Sequence, residues 1–234
     1  MSAVLAIADL PLLLHPLLPL VVIQRFGVTQ DGYFTFVYSE GQRGGKYYCK
    51  SETDYLDCFQ KMICRLADTE RLADKKIVLL AHTFGRYGDE REYIEKLYAR
   101  LPETIQVRTV VITDKIYQTR ARFVLQGGLF TITGRMHAAV STFQGGKPAI
   151  SLSYSTKFRG VIGDSLDQQP LVIEADQDAL WHSGEIVDRV CEKIDGLWSD
   201  YAGLCDRIRN RVKELQQQVS STLDRIAAER PSQK

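Results

Sequence analysis

Residues 129–154, LFTITGRMHAAVSTFQGGKPAISLSY, predict a strand, a helix and a second strand in direct succession. Leu129–Thr133 and Ala149–Tyr154 are short runs of apolar and β-branched residues, which is typical of strands buried on both faces of a parallel sheet. Between them, a helix is predicted from Met136 to Phe143, and Gly145-Gly146 ends it. Two parallel strands need a crossover of this kind, so the stretch indicates a β-α-β unit.

The alternation of strand and helix continues on both sides of this unit. Further strands are predicted at Val21–Gly27, Tyr33–Ser39, Ile77–Ala81, Val107–Thr113 and Leu171–Glu174, the first two forming a hairpin or lying as neighbours. Further helices are predicted at Asp54–Leu66, at Asp89–Arg100 with Asp89 as its cap, and at Lys115–Gln126. The pattern predicts the α/β class, with a Rossmann-like parallel sheet covered on both faces. In such sheets, ligands bind beyond the carboxyl ends of the strands.

A long helical tail is predicted over about Glu185–Glu229. Its apolar residues recur at steps of three or four, so they form one face. This face either packs on the chain's own core or associates with a second copy, and Gly196 and Gly203 allow a pair of helices in place of one. We therefore expect three parts: an apolar lead-in or interdomain segment at 1–30, a Rossmann-like domain at 31–184 and the tail at 185–234.

The bulk composition is that of an ordinary globular protein of 234 residues. Hydrophobic residues make up 44% and charged residues 25%, and the formal net charge is +1. So small a charge gives no general attraction to nucleic acid or to an anionic membrane. The five cysteines lack the spacing of a zinc site, and no metal is expected. Their odd number and the absence of a C-x-x-C pair favour reduced cysteines in a cytoplasmic protein. The apolar start is interrupted by a charge and by prolines, which argues against a signal peptide or a transmembrane segment.

The candidate functional site begins with Gly134-Arg135-Met136-His137, where a predicted strand leads into a helix. The free N–H groups of a helix N-terminus favour an anion. Arg135 adds a planar guanidinium that matches a phosphate or a carboxylate, and His137 is able to exchange a proton near neutral pH. The simpler interpretation is a surface ion pair for Arg135 and a hydrogen bond inside the fold for His137. The combination at this position favours a site for a small anionic substrate.

Two further segments at the same predicted sheet edge contribute candidate binding residues. His82 follows the strand that ends at Ala81, and Ser153, Tyr154 and Lys157 lie at the end of the strand after the Arg135 helix. Neighbouring parallel strands are about 5 Å apart, so these side chains are placed to reach one ligand together. The alternative for each is a loop residue that binds no ligand.

Two blocks of residues carry a resemblance to a known family. They are Gly134-Arg135-Met136-His137-Ala138-Ala139-Val140 and Gly145-Gly146-Lys147-Pro148-Ala149-Ile150-Ser151-Leu152-Ser153-Tyr154, followed by Lys157. They resemble the C-terminal domain of the polysaccharide pyruvyl transferase family. That family shows an arginine, a large apolar residue and His-Ala, then a Gly-x-Pro turn, an apolar strand and a Ser-Tyr…Lys segment. The segments Asp9–Leu14 and Ala81–Asp89 resemble the family's linker and mid-domain loop.

This resemblance implies a Rossmann-like domain similar to the C-terminal half of a two-domain glycosyltransferase type B (GT-B) fold, which binds the donor. It implies transfer of pyruvate from phosphoenolpyruvate to hydroxyl groups of a cell-surface polysaccharide or its precursor, without a cofactor. Arg135 would bind the phosphate or carboxylate of the donor, and Met136 would line the pocket. His137 would protonate the methylene carbon of the donor, and Lys157 would be a second donor-binding residue.

Members of this family carry an N-terminal half of comparable size, and this sequence lacks it. The expected partners are therefore phosphoenolpyruvate, a glycan acceptor, and either a separate N-terminal half or a second copy joined through the tail. Two other functions stay open: a glycosyltransferase of the same architecture that uses a nucleotide sugar, or a non-catalytic interaction module derived from this fold. The nucleotide-sugar function calls for an acidic residue at the ribose, and no glutamate is convincingly placed for it.

Overall fold

The structure is a computed structural model that describes residues 23–37, 42–43, 46–47, 49–84, 89–114, 116 and 118–228. In this part of the chain, six strands form one sheet and two short strands form a separate pair. The sheet consists of β1 (Tyr33–Val37), β4 (Lys76–Leu80), β5 (Thr109–Ile112), β6 (Thr131–Thr133), β7 (Ala149–Ser153) and β8 (Val172–Glu174). The antiparallel pair consists of β2 (Gln42–Arg43) and β3 (Lys46–Tyr47).

Helices connect the strands of the sheet and follow the last of them. They are α1 (Glu52–Ala67), α2 (Arg91–Arg100), α3 (Glu103–Gln106), α4 (Gln118–Gly127), α5 (Met136–Gln144), α6 (Thr156–Phe158), α7 (Asp178–His182), α8 (Glu185–Leu197) and α9 (Tyr201–Ala228). A π-helical turn at Arg159–Ser165 and a 3₁₀ turn at Gln169–Leu171 lie between α6 and β8.

The strand order in the sheet is β5-β4-β1-β6-β7-β8, and every pair of neighbours is parallel. The chain first runs from β1 outward through β4 to β5. It then returns to the other side of β1 and runs outward through β6 and β7 to β8. This is the doubly wound order, with its topological switch point between β1 and β6. The predicted α/β class and the Rossmann-like parallel sheet are confirmed.

The core has one apolar layer on each face of the sheet. The larger layer contains Phe34 and Phe36 of β1, and its aromatic centre is Tyr55, Phe59 and Trp181, with ring centroids 4.5–5.9 Å apart. The other layer contains Tyr33, Val37, Val78 and Leu80 together with Val124 and Leu125 of α4. Alternate residues of β1 thus enter opposite layers, as the two-residue period of a strand requires. The fully buried strands explain why the sequence shows continuous apolar runs.

The strand predicted at Val21–Gly27 is wrong for its described part. Ile23–Arg25 form a helical turn, in which the N–H groups of Phe26 and Gly27 donate to the carbonyls of Ile23 and Gln24 at 3.0 and 2.9 Å. Gly27 closes the turn in the left-handed region, with φ of 68°. Both edges of β1 are taken by β4 and β6, so no place is left beside it for an earlier strand. The rest of the predicted lead-in, including Asp9–Leu14, lies outside the described residues.

The tail is a pair of helices, as its glycines allow. The inner face of α8, which includes Ile186, Val190 and Ile194, is fully buried in the larger core layer. In α9 the buried face ends near Val212, and apolar side chains farther along are exposed: Val219 60%, Leu223 60% and Ile226 51%. The first part of the tail therefore packs on the chain's own core, and association through the outer part stays a prediction. Among the described helices, none is both long enough and apolar enough to cross a membrane.

Candidate functional site

Three connections meet at the carboxyl edge of the sheet, on either side of the switch point. They are the segment 81–84 after β4, Gly134 and Arg135 after β6, and Tyr154 and Ser155 after β7. β6 lies beside β1 at the switch point, and β4 lies on the other side of β1. Since the crevice at the switch point is where doubly wound sheets bind ligands, the predicted Gly134–His137 segment occupies the expected place.

Arg135 is held at this edge by both its backbone and its side chain. Its N–H donates to Oγ1 of Thr133 at 2.8 Å, and only 7% of the residue is exposed. The guanidinium Nε donates to Oε1 of Glu90 at 2.6 Å. Nη2 faces the same oxygen in the ion pair without hydrogen-bond geometry, and among the described residues this buried nitrogen has no hydrogen-bond partner. Arg135 is thus in a buried ion pair, not in the surface pair that the simpler interpretation predicts.

Glu90 is the site residue that sequence reasoning missed. It directly precedes α2, is fully buried and lies 45 positions from Arg135. Its Oε2 accepts hydrogen bonds from the N–H groups of His82 and Thr83 at 2.8 and 3.1 Å. Burial raises the pKa of Glu90 above its ordinary value, while Arg135 and the two backbone N–H groups act in the opposite direction. Its carboxylate therefore joins the exit of β4 to the exit of β6.

The predicted N-cap of the same helix is wrong by one residue. Glu90 is the N-cap of α2, although its side chain makes no capping hydrogen bond. Asp89 accepts a hydrogen bond from the N–H of Arg91 at 3.1 Å and pairs with the side chain of Arg91. Asp89 therefore acts locally, and the neighbouring Gly85–Gly88 lie outside the described residues.

His82 is half-buried and belongs to the same cluster. Burial, together with the positive charges of Arg135 and His137, lowers the pKa of His82 to about 4. The imidazole is therefore neutral near neutral pH, where it is able to donate or accept a hydrogen bond without adding charge. The structure thus brings together three of the predicted residues, His82, Arg135 and His137.

We expect the chain to lose stability relative to a His82→Gln variant as the pH falls from about 6.5 to about 4. In this window the unfolded chain binds a proton at His82, whose ordinary pKa is 6.5, whereas the folded chain, with a pKa of about 4, does not. A shift of this size corresponds to about 3 kcal/mol. Urea denaturation of both proteins across the window measures the difference. Parallel pH profiles for the two proteins would contradict the assigned burial of His82.

The N-terminus of α5 presents free backbone donors beside Arg135. The N–H groups of Ala138 and Ala139 donate to the carbonyl of Arg135 at 3.0 and 3.1 Å. Within the described chain, the N–H groups of Met136 and His137 have no acceptor. The His137 side chain is exposed and Met136 is half-buried. Two free N–H groups and a helix dipole at this point favour a bound anion.

The other predicted binding residues lie one strand away from Arg135. Ser153 is 7% exposed, and its hydroxyl donates to the carbonyl of Ser155 at 3.1 Å. The Tyr154 ring packs edge-on against Phe158, with centroids 5.5 Å apart. Lys157 is exposed in the short helix α6. They share the carboxyl edge with Arg135, but the Ser153 hydroxyl and the Tyr154 ring are engaged within their own segment. Among the described residues, no group of three His, Cys, Asp or Glu side chains is arranged to hold a metal ion.

Comparisons with known proteins find similarity at the level of structure. No protein-family model matches the sequence, and no curated protein matches it. An α,α-trehalose-phosphate synthase (UDP-forming) from Burkholderia vietnamiensis is 10% identical with a TM-score of 0.49, over 83% of this chain and 42% of that chain. The trehalose-6-phosphate synthase OtsA is 10% identical with a TM-score of 0.49, over 92% of this chain and 47% of that chain. This chain thus spans less than half the length of either structure.

Proposed function

We propose that this chain is the donor-binding domain of a group transferase, and that a phosphorylated donor binds at the carboxyl edge between β1 and β6. One observation carries the proposal: the buried Nη2 of Arg135 faces Oε1 of Glu90 in the ion pair but makes no hydrogen bond among the described residues. A buried donor group without an acceptor is costly, so a ligand oxygen is the natural partner. The free N–H groups of Met136 and His137 beside it supply two further donors.

The charge of the site favours a ligand that is bound mainly by hydrogen bonds and the helix dipole. Glu90 already compensates the charge of Arg135, so the pair together is neutral. The remaining attraction for an anion comes from the N-terminus of α5. In this proposal Arg135 orients the donor through its guanidinium, whose Nη2 faces Glu90 without hydrogen-bond geometry, and does not neutralise the donor's charge alone. That role is narrower than the one the family resemblance implies.

Phosphoenolpyruvate is the donor that the residues of the site favour. It is small, it carries a phosphate and a carboxylate, and it fits a few convergent donors without a nucleotide pocket. In this reaction His137 gives a proton to the methylene carbon, and the acceptor hydroxyl attacks the adjacent carbon. The proton of the attacking hydroxyl restores His137; a second hydroxyl then closes the pyruvate ketal as the C–O bond to phosphate breaks, and its proton leaves with the phosphate. His137 is exposed at the helix start, where an acceptor sugar has access to it.

A nucleotide sugar is the second candidate donor, and the strand order favours it. Doubly wound sheets with the order β5-β4-β1-β6-β7-β8 bind nucleotides at the switch point. If the donor is a nucleotide sugar, the chain is the donor-binding domain of a glycosyltransferase. Glu90 is not available for a ribose hydroxyl in this arrangement, because Arg135 and two backbone N–H groups already engage it. Both candidate donors would contact the site through a phosphate, and they differ in the group that the phosphate carries.

Thermal unfolding with each donor tests the proposal and separates the candidates. A ligand at 100 times its Kd stabilises the folded state by about 2.7 kcal/mol, which raises the Tm of a chain this size by about 5–10 °C. We expect such a shift with millimolar phosphoenolpyruvate or with UDP-glucose, and a smaller one with inorganic phosphate. A shift with phosphoenolpyruvate alone selects pyruvyl transfer, and a shift with UDP-glucose alone selects glycosyl transfer. No shift with either donor would contradict a formed donor site and would favour the interaction module.

A further inference from the structure

Glu90 connects two parts of the candidate site that are distant in sequence. One carboxylate oxygen accepts a hydrogen bond from Nε of Arg135, and the other accepts hydrogen bonds from the N–H groups of His82 and Thr83. The backbone N–H of Glu90 also donates to the carbonyl of Thr83 at 3.2 Å. The β4 exit and Arg135 are therefore both held by one side chain.

The side chain of Glu90 makes its hydrogen bonds at the carboxyl edge of the sheet and not to the first turn of its own helix. An N-cap side chain usually accepts a hydrogen bond from the first turn of its helix, and Glu90 makes no such bond. The N–H of Arg91 donates instead to Asp89. A fully buried carboxylate is costly unless it is paired and hydrogen-bonded, and among the described residues Glu90 meets both conditions through Arg135 and the β4 exit.

The position of Glu90 also determines the orientation of the Arg135 guanidinium. Oε1 of Glu90 accepts a hydrogen bond from Nε and faces Nη2 in the ion pair, so Glu90 fixes the orientation of the guanidinium, while Thr133 holds the Arg135 backbone. Among the described residues, Nη2 is then a buried donor that faces Glu90 in the ion pair but makes no hydrogen bond. A planar guanidinium fixed in this way has little rotamer entropy left to lose when a ligand binds.

We infer that Glu90 is the positioning residue of the donor site: it holds the Arg135 guanidinium and the His82 segment in the arrangement that meets the phosphorylated donor. This inference rests on the proposed function. Glu90 touches no donor atom in this role and acts through Arg135 and the backbone of His82 and Thr83.

Glutamine at this position separates the two connections. Its side-chain amide has one acceptor oxygen, whereas the carboxylate uses both oxygens as acceptors. In the Glu90→Gln variant the amide oxygen therefore serves Arg135 or the N–H groups of His82 and Thr83, but not both in the native geometry. Glu90→Asp keeps the charge and both oxygens on a side chain shorter by one methylene, so it should restore part of what glutamine loses. Glu92→Gln is the matched control, because Glu92 lies on the same helix and makes a surface pair with Lys96.

The test combines donor affinity with a readout in the free protein. Calorimetric titration with phosphoenolpyruvate and with UDP-glucose should show at least about tenfold weaker binding for Glu90→Gln, which is about 1.4 kcal/mol. It should show partial recovery for Glu90→Asp and no change for Glu92→Gln. In the absence of donor, an NMR titration of the His82 ring should give a pKa of about 4 in the native chain. That pKa should rise towards 6.5 in Glu90→Gln as the β4 exit opens.

A folded Glu90→Gln variant that keeps both the native donor affinity and the native His82 titration would overturn the inference. If Glu90→Gln does not fold, Glu90→Asp takes its place in both measurements. If Glu90→Asp then shows the native donor affinity and the native His82 titration, the inference is overturned. If it binds the donor more weakly and its His82 pKa is raised, the inference is supported. If the native chain binds neither donor, the proposed function fails and the donor role of Glu90 with it. If the native chain binds a donor and Glu90→Gln binds it with the same affinity, the positioning role of Glu90 fails while the proposed function stands.

Discussion

Replacing Arg135 by glutamine is expected to lower the free energy of unfolding by about 3–5 kcal/mol, because it leaves a buried carboxylate without its cation. The cost falls on Glu90, because it is fully buried and because Arg135 is the only cation that pairs with it among the described residues. The loss should shrink at acidic pH, since burial already raises the pKa of Glu90 and protonation then removes the unpaired charge. Urea denaturation near neutral pH and at acidic pH measures both effects.

Arg189→Gln is the matched control for this substitution. Arg189 pairs with Glu185 one turn away on the surface of α8, and such a pair contributes about 0.3–0.5 kcal/mol. Arg135→Gln should also remove the thermal shift produced by the donor, and Arg189→Gln should keep it. An Arg135→Gln protein within about 1 kcal/mol of the native stability would show that the buried pair does not stabilise the site as described.

His137→Ala is expected to separate binding from turnover. His137 is exposed, so its removal should change stability by no more than about 0.5 kcal/mol. The backbone N–H of residue 137 is retained in the variant, so the donor should still raise the Tm. Loss of a general acid typically slows a reaction by about 10²–10⁴-fold. In an enzyme completed by its N-terminal half, phosphate release from phosphoenolpyruvate in the presence of a glycan acceptor measures that loss.

His182→Ala is the control for His137, because the His182 side chain is 81% exposed and pairs with Asp54 on another part of the surface. It should leave both donor binding and turnover unchanged. Near-normal turnover in His137→Ala would remove His137 from the role of proton donor, even if the donor still binds at Arg135.

The sheet was predictable because its signals are local. Continuous apolar runs at Ile77–Ala81 and Ala149–Tyr154 predict strands buried on both faces, and both are strands in the structure. The helix after Arg135 starts at the predicted residue, since the change from strand to helix period and the Gly145-Gly146 end are visible in a short window. Such a window does not show which strands become neighbours. That is why Val21–Gly27 was expected to be a strand beside β1, whereas β4 and β6 occupy both of its edges.

The candidate site was predictable only in part, for the same reason. The edge positions of His82, Arg135 and His137 follow from the order of strands and loops, and the structure brings these three together. The partner of Arg135 lies 45 positions away, next to an aspartate with a stronger local capping signal, and no spacing marks it. Buried pairs of this kind arise from tertiary packing.

The central claim is that a phosphorylated donor binds at the start of α5, and amide chemical shifts on titration with donor test it most directly. Phosphoenolpyruvate and UDP-glucose are each added to the isotope-labelled chain, and the backbone amides are followed. The account predicts that one of them shifts the amides of Met136 and His137 the most, together with the side-chain Nε of Arg135, and that Arg135→Gln abolishes the response. Saturable shifts centred elsewhere on the chain, with these three signals unmoved, would contradict it.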